Sequence, residues 1–306
     1  MKKIKVLIVD DSAIVRNAFS TVLSRDSDIE VVGGAADPYE ARDKIIALKP
    51  DVITLDINMP RMDGLTFLKK LMKYYPLPVI MVSGVSDENA KMTLRSLEYG
   101  AIEFIAKPGG GTNELRELSV QLINKVKAAA CAKIRKKHLP DKQNPNVLPE
   151  SMVQSNNKII ALGTSTGGAE ALRMVLRRMP PNSPPILIVQ HMPEKFTRTF
   201  ANNLNDLCGI EVREAKDGDN VTSKLALVAP GNYQMNLKRA GTRYYVSVEK
   251  SEPVSGHRPS VDSLFYSVAK HAGGKAVGVL MTGMGVDGAR GLIRYEKFRG
   301  KNHCAG

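Results

Sequence analysis

Short β-branched runs alternate with helical periods through the first 125 residues, and that alternation leaves few folds open. KVLIV (5–9), EVVGG (30–34), DVITLD (51–56), PVIMVS (78–83) and IEFIA (102–106) read as strands, because Val and Ile suit a pleated, buried surface. Helical spacing follows each of them, over 12–25, 38–48, 64–73, 87–98 and 113–130. Strands joined through helices pair in parallel by right-handed crossovers. The expected class is α/β, with a (βα)5 domain over residues 1–125.

The segment HLPDKQNPNVLPESMVQSNN (138–157) is rich in Pro, Asn, Gln and Ser, so residues 126–157 read as a linker. A second alternating region follows, with strands over 158–163, 185–190, 225–230, 243–249 and 276–283 and helices over 168–178, 194–206 and 260–272. It predicts a doubly wound α/β domain over 158–291, with a β-rich insertion in its middle. At 306 residues the chain has room for both cores.

The formal charge of +13 raises the question of nucleic acid. Much of the local excess lies in one acid-free tract, residues 125–138, with no helix-turn-helix, zinc-finger or RNP pattern beside it. A solvated helix end or an acidic protein partner accounts for it, and no nucleic-acid partner is expected. The three cysteines, Cys131, Cys208 and Cys304, lack metal-ligand spacing. MKKIKVLIVDD enters a strand at once, and no run reaches the length of a membrane span. A cytoplasmic protein is expected.

In a parallel sheet, functional residues gather at the carboxyl ends of the strands. Asp10 and Asp11 close the first strand, Asp56 the third, Ser83 the fourth and Lys107 the fifth. Acids brought together repel unless a cation joins them, and oxygen-only ligands suit Mg²⁺. The set predicts phosphoryl transfer to the Asp56 carboxylate, with Mg²⁺ and Lys107 offsetting charge and Ser83 hydrogen-bonding the phosphate. VDDSAIVR, DVITLDINMPRMDG, VIMVSG and FIAKPG together resemble the receiver domain of two-component response regulators. That resemblance implies phosphorylation of Asp56 and Mg²⁺ held by Asp10, Asp11 and the backbone carbonyl of Asn58. It also implies phosphate contacts from Ser83 and Lys107, and an aromatic switch at Phe104.

In the second region, Gly163-Thr164-Ser165-Thr166-Gly167 fits G-x-S-x-G, a sharp strand-to-helix turn that exposes its serine. The Thr166 N–H is a candidate oxyanion donor. A phosphate-binding turn is the rival reading, although no G-K-[ST] follows. A serine nucleophile needs a base and an orienting acid. His191 closes the next strand and His257, in SGHRPSVD, is the alternative; Asp287, in VLMTGMGVDG, supplies the acid. His138, His271 and His303 lie in the basic tract, at a helix end and in the tail.

LGTSTGGAEAL, VQHMPEKFTRTFA, APGNYQM, HRPSVDSLF and MTGMGVDGARG resemble the catalytic domain of chemotaxis protein-glutamate methylesterase/glutaminases. The resemblance implies Ser165 as nucleophile, His191 as base and Asp287 as orienting acid, with no cofactor in this domain. It further implies methyl-accepting chemoreceptors as substrate, a chemotaxis histidine kinase as phosphodonor, and contact with membranes only through the receptors. After Gly291 the family pattern is lost, and residues 292–306 read as an aberrant tail. Permissible codons for Tyr295–Gly306, read one base later, spell MRNSGAKTIAQ, which restores the pattern and predicts a frameshift. Loss of the family's further strand and closing helices would leave apolar sheet surface and an exposed edge uncovered beside Asp287. The competing reading is a truncated, non-catalytic module that only accepts phosphate.

Overall fold

A computed structural model describes residues 2–84, 86–107, 112–132, 158–283, 285–297 and 301–304. Pro108, Met284 and most of the expected linker lie outside them. The chain divides into two compact units, Met1–Asp141 and Lys142–Gly306.

The first unit alternates β1 (Ile4–Val9), α1 (Ala13–Leu23), β2 (Ile29–Ala35), α2 (Pro38–Leu48), β3 (Val52–Asp56), α3 (Gly64–Tyr74), β4 (Val79–Ser83), α4 (Asp87–Glu98), β5 (Glu103–Ala106) and α5 (Thr112–Cys131). All pairings are parallel, in the order β2-β1-β3-β4-β5. The chain reverses direction across the sheet between β1 and β3, which is where doubly wound sheets open a crevice. Helix starts follow capping chemistry: Ser12, Asp37, Asp63 and Ser86 each accept a backbone N–H of the first turn. The last helix runs past the expected linker boundary at 126. Val126 and Ala129 continue the buried face begun by Leu118 and Leu122, so residues 126–131 belong to α5.

The second unit holds β6 (Ile159–Thr164), α6 (Gly168–Leu176), β7 (Ile186–Gln190), α7 (Glu194–Asn205), β8 (Glu211–Glu214), β9 (Leu225–Val228), β10 (Gln234–Ala240), β11 (Arg243–Glu249), α8 (Val261–His271), β12 (Ala276–Leu280), α9 (Ala289–Lys297) and β13 (Lys301–Cys304). Six strands pair in parallel in the order β13-β12-β6-β7-β9-β8. The antiparallel hairpin β10–β11 packs Met235, Leu237 and Val246 into one core with Leu264, Phe265 and Val268 of α8.

The tail departs from expectation. Leu292 and Tyr295, three residues apart on α9, are buried in the second core, and Tyr295 Oη donates to the Gly273 carbonyl at 3.0 Å. Asp262 Oδ1 accepts the Gly291 N–H at 2.6 Å, tying α9 to α8. β13 pairs with β12 from Val277↔Lys301 to Leu280↔Cys304, so β12 has neighbours on both sides and the expected bare edge is filled. His303 lies in this strand.

Candidate active site

Asp10, just beyond β1, and Asp56, the last residue of β3, are both buried, while Asp11 is exposed. Lys107, just beyond β5, places Nζ 2.9 Å from Asp10 Oδ2 and 3.0 Å from Asp56 Oδ1. Burial pushes the Asp56 carboxyl above the usual aspartate range, against the pull of Lys107. Burial works against the Lys107 charge too, yet its contacts with Asp10 and Asp56 hold its pKa above the ordinary lysine value. One oxygen from each of Asp10, Asp11 and Asp56 lies within 4.8 Å of the others. An all-oxygen set that compact fits a small hard cation such as Mg²⁺.

Ser83 is buried at the end of β4, its Oγ donating to the Gly84 carbonyl at 3.2 Å. The Asn58 side chain turns to Asn89, donating from Nδ2 at 3.2 Å. Phe104 is buried in β5; the Lys125 ammonium lies 5.2 Å from its ring centroid and donates to its carbonyl at 2.6 Å.

Sequence reading missed Gly64. A Cβ there would sit 1.9 Å from the Asp56 carbonyl oxygen, so α3 starts against the end of β3 only because residue 64 has no side chain. Gly64→Ala is expected to shift the end of β3, costing about 3 kcal/mol and most of the phosphoryl uptake. Denaturant melts and labelling by a small phosphoryl donor check both effects.

In the second unit, β6 ends at Thr164 and the chain turns through Ser165 to a left-handed Gly167 (φ +75°) before α6. Backbone bonds clamp this turn. Ser165 N–H donates to the Thr282 carbonyl at 2.9 Å, and Gln190 Nε2 donates to the Ser165 carbonyl at 3.0 Å. Thr282 Oγ1 donates to the Thr166 carbonyl at 3.0 Å, also binding the turn to the segment after β12. A Cβ on Gly168 would come within 2.3 Å of Gln190 Oε1, so the close approach of helix and clamp needs glycine. The Thr166 N–H donates to no group among the described residues. It stays available at the N-terminus of α6, where partial positive charge gathers.

His191 follows β7 and places Nδ1 3.1 Å from Ser165 Oγ. Its Nε2 lies 2.7 Å from Asp287 Oδ2. Asp287 sits at the start of α8, accepting from Ser260 Oγ at 2.7 Å, Val261 N–H at 2.8 Å and Asp262 N–H at 3.0 Å. Burial pushes its carboxyl up, but His191, the Asp262 N–H and Ser260 outweigh burial and hold it below the usual aspartate range. A carboxylate only accepts, so it fixes the proton on His191 Nε2 and leaves the Nδ1 lone pair toward Ser165. His257 does not replace His191; its ring lies against it, centroids 3.9 Å apart and planes within 7°. A small cleft of about 110 Å³ opens over Ser165, lined also by His191, Val261, Leu280, Thr282 and Gly283. Gln190 and Ser260 left no signal in the sequence, since a buried Gln at a strand end and a serine cap have everyday structural uses.

The fold and its two sites define a two-unit α/β protein with a lysine-bridged acidic pocket in one unit and a Ser–His–Asp relay, the arrangement of serine hydrolases, in the other. Residues 6–119 match the response regulator receiver domain family and residues 160–302 the CheB methylesterase family. The chain is 55% identical over 300 residues to protein-glutamate methylesterase/protein-glutamine glutaminase 2 of Syntrophus aciditrophicus, covering 97% of this chain and 87% of the relative. It is 50% identical to the protein-glutamate methylesterase/protein-glutamine glutaminase of Salmonella typhimurium, covering 96% and 84%. Among solved structures, the Thermotoga maritima CheB methylesterase catalytic domain aligns with TM-score 0.46 and 35% identity over 47% of this chain and 77% of that one. The chain belongs to the protein-glutamate methylesterase/protein-glutamine glutaminase family. No helix among the described residues is long and apolar enough to cross a membrane.

Proposed function

We propose that the chain hydrolyses γ-glutamyl methyl esters on chemoreceptors, and deamidates receptor glutamines, under control of phosphorylation at Asp56. The observation that carries this reading is the continuous relay from Ser165 Oγ through His191 to Asp287, at 3.1 and 2.7 Å. Ser165 Oγ attacks the ester carbonyl while His191 Nδ1 takes its proton. The Thr166 N–H faces the charge that develops on the carbonyl oxygen. His191 then gives its proton to the departing methanol, and the acyl-serine remains. Water, deprotonated by the same nitrogen, releases the glutamate side chain and restores Ser165. With a glutamine substrate the leaving group is ammonia. A module that only accepted phosphate would have no use for a carboxylate held by four donors beside a serine–histidine pair.

In the first unit, Asp10, Asp11 and Asp56 would hold Mg²⁺ together with the Asn58 carbonyl. The bound ion supplies positive charge to the phosphoryl group as it transfers. Lys107 would neutralise the acylphosphate, Ser83 would donate to it, and buried Phe104 would reorient once it forms. The phosphodonor of this reading is a chemotaxis histidine kinase. A basic, cytoplasmic chain would meet membranes only through its receptor substrate.

The regulatory half is checked with Asp56→Asn. A small phosphoryl donor is expected to raise methanol release by the wild type at least tenfold, on the order of the coupling energies of switches, and to leave the variant at its basal rate. An equal rise in both proteins would remove Asp56 from the mechanism.

A further inference from the structure

We propose that His257 is a positioning residue of the hydrolase site, whose ring holds the His191 imidazole in the plane that serves Ser165 and Asp287 together. This rests on the hydrolase reading above. The two contacts of His191 leave through Nδ1 and Nε2, both at the ring edge. Edge contacts set direction within the plane, but they oppose only weakly a rocking of the ring about its Cβ–Cγ bond. Rocking swings the Nδ1 lone pair off Ser165 Oγ. A flat ring at 3.9 Å, within 7° of parallel, opposes that motion.

His257 is itself held firmly. Its N–H donates to the Val254 carbonyl at 2.9 Å and its carbonyl accepts from Val254 N–H at 3.1 Å. Gln234 Nε2 donates to the same carbonyl at 2.9 Å, and Gln234 Oε1 accepts the Ser260 N–H at 2.8 Å. Ser260 Oγ is a donor to Asp287. One buried glutamine thus spans the residue that faces the base and the residue that fixes the acid. Two stacked imidazoles tolerate a single charge between them. Burial, then the neighbouring His191, outweigh Asp287 and push the His257 pKa down to about 4, so His257 is neutral when His191 takes the serine proton. Neither ring nitrogen of His257 bonds to a described residue, which leaves the face of the ring as its contact with the triad.

The test compares His257→Ala, His257→Phe and His257→Asn in the full chain with a small phosphoryl donor, measuring methanol release from methylated receptor membranes. Labelling of Ser165 by a small fluorophosphonate is followed in parallel, since it reads the readiness of the base whatever the natural substrate. His257→Ala is expected to lose roughly 100-fold in kcat and labelling rate with KM nearly unchanged. His257→Phe, which restores a flat ring without nitrogens, is expected to return within about threefold of wild type. Two results overturn the proposal: an active His257→Asn beside an inactive His257→Phe, or a His257→Ala as fast as wild type. Should the alanine variant fail to fold, the Phe and Asn variants still decide. Wild type that labels but releases no methanol counts against the methylesterase reading, and the labelling series still tests His257.

Discussion

Ser165→Ala is expected to lower methanol release from methylated chemoreceptors by roughly 10⁶-fold, the loss seen when a serine hydrolase is left without its nucleophile. The variant is a clean one. Among the described residues the hydroxyl makes one hydrogen bond, to His191, whereas the clamps on the turn use the Ser165 N–H and carbonyl. The turn, α6 and the cleft should therefore survive, and phosphoryl uptake at Asp56 should be unchanged. Residual release above a tenth of the wild-type rate, checked by gas chromatography of methanol, would place the nucleophile elsewhere.

Asp287→Asn is expected to cost about 10⁴ in kcat and to destabilise the second unit as well. The Asp287 carboxylate accepts from His191, Ser260 Oγ and two backbone N–H groups of α8. An amide has one oxygen and one NH₂, so either orientation turns a donor toward a donor. If the NH₂ faces His191, the imidazole must move its proton to Nδ1 and can no longer take one from Ser165. If it faces Ser260 and Asp262, those donors lose an acceptor, at about 1–3 kcal/mol for each buried group left unpaired. The pH dependence carries the same signature. Asp287 is held below the usual aspartate range, so its bonds add stability above about pH 4 and lose it as pH falls through the folded-state value. The asparagine variant should melt lower at pH 7 and converge on wild type in acid. Equal melting at pH 7 would contradict the four-donor account.

The alternation of β-branched runs with helical periods made both parallel sheets legible, because continuous buried strands such as VITLD carry no competing polar pattern. The same reading placed Asp10, Asp56, Ser83, Lys107, Ser165 and His191 at strand ends, and the structure brings them into two groups. Elements with mixed faces were harder. β8 reads EVRE, and β10 reads QMNLKRA, where two buried apolar residues, Met235 and Leu237, alternate with polar neighbours, one of them the buried Gln234. α9 offers its core two main side chains, Leu292 and Tyr295, amid charge and an exposed Ile293, so its period is too short to stand out. The contacts of Gln190 and His257 are made across the fold between residues far apart in sequence, and spacing along a chain does not encode them; that of Gly64 is local, but it depends on how closely α3 approaches the end of β3. His257 stays as the alternative base in the residue reading for the same reason: the sequence puts both histidines near the serine, the family resemblance favours His191, and the geometry shows the edge of His191 meeting Ser165 and the face of His257 meeting His191.

The most direct measurement is the time course of methanol release from methylated chemoreceptor membranes by the intact 306-residue chain, with and without a small phosphoryl donor. The account predicts release that rises with the donor and tracks phosphate incorporated at Asp56. A folded chain that takes up phosphate and releases no methanol would contradict it.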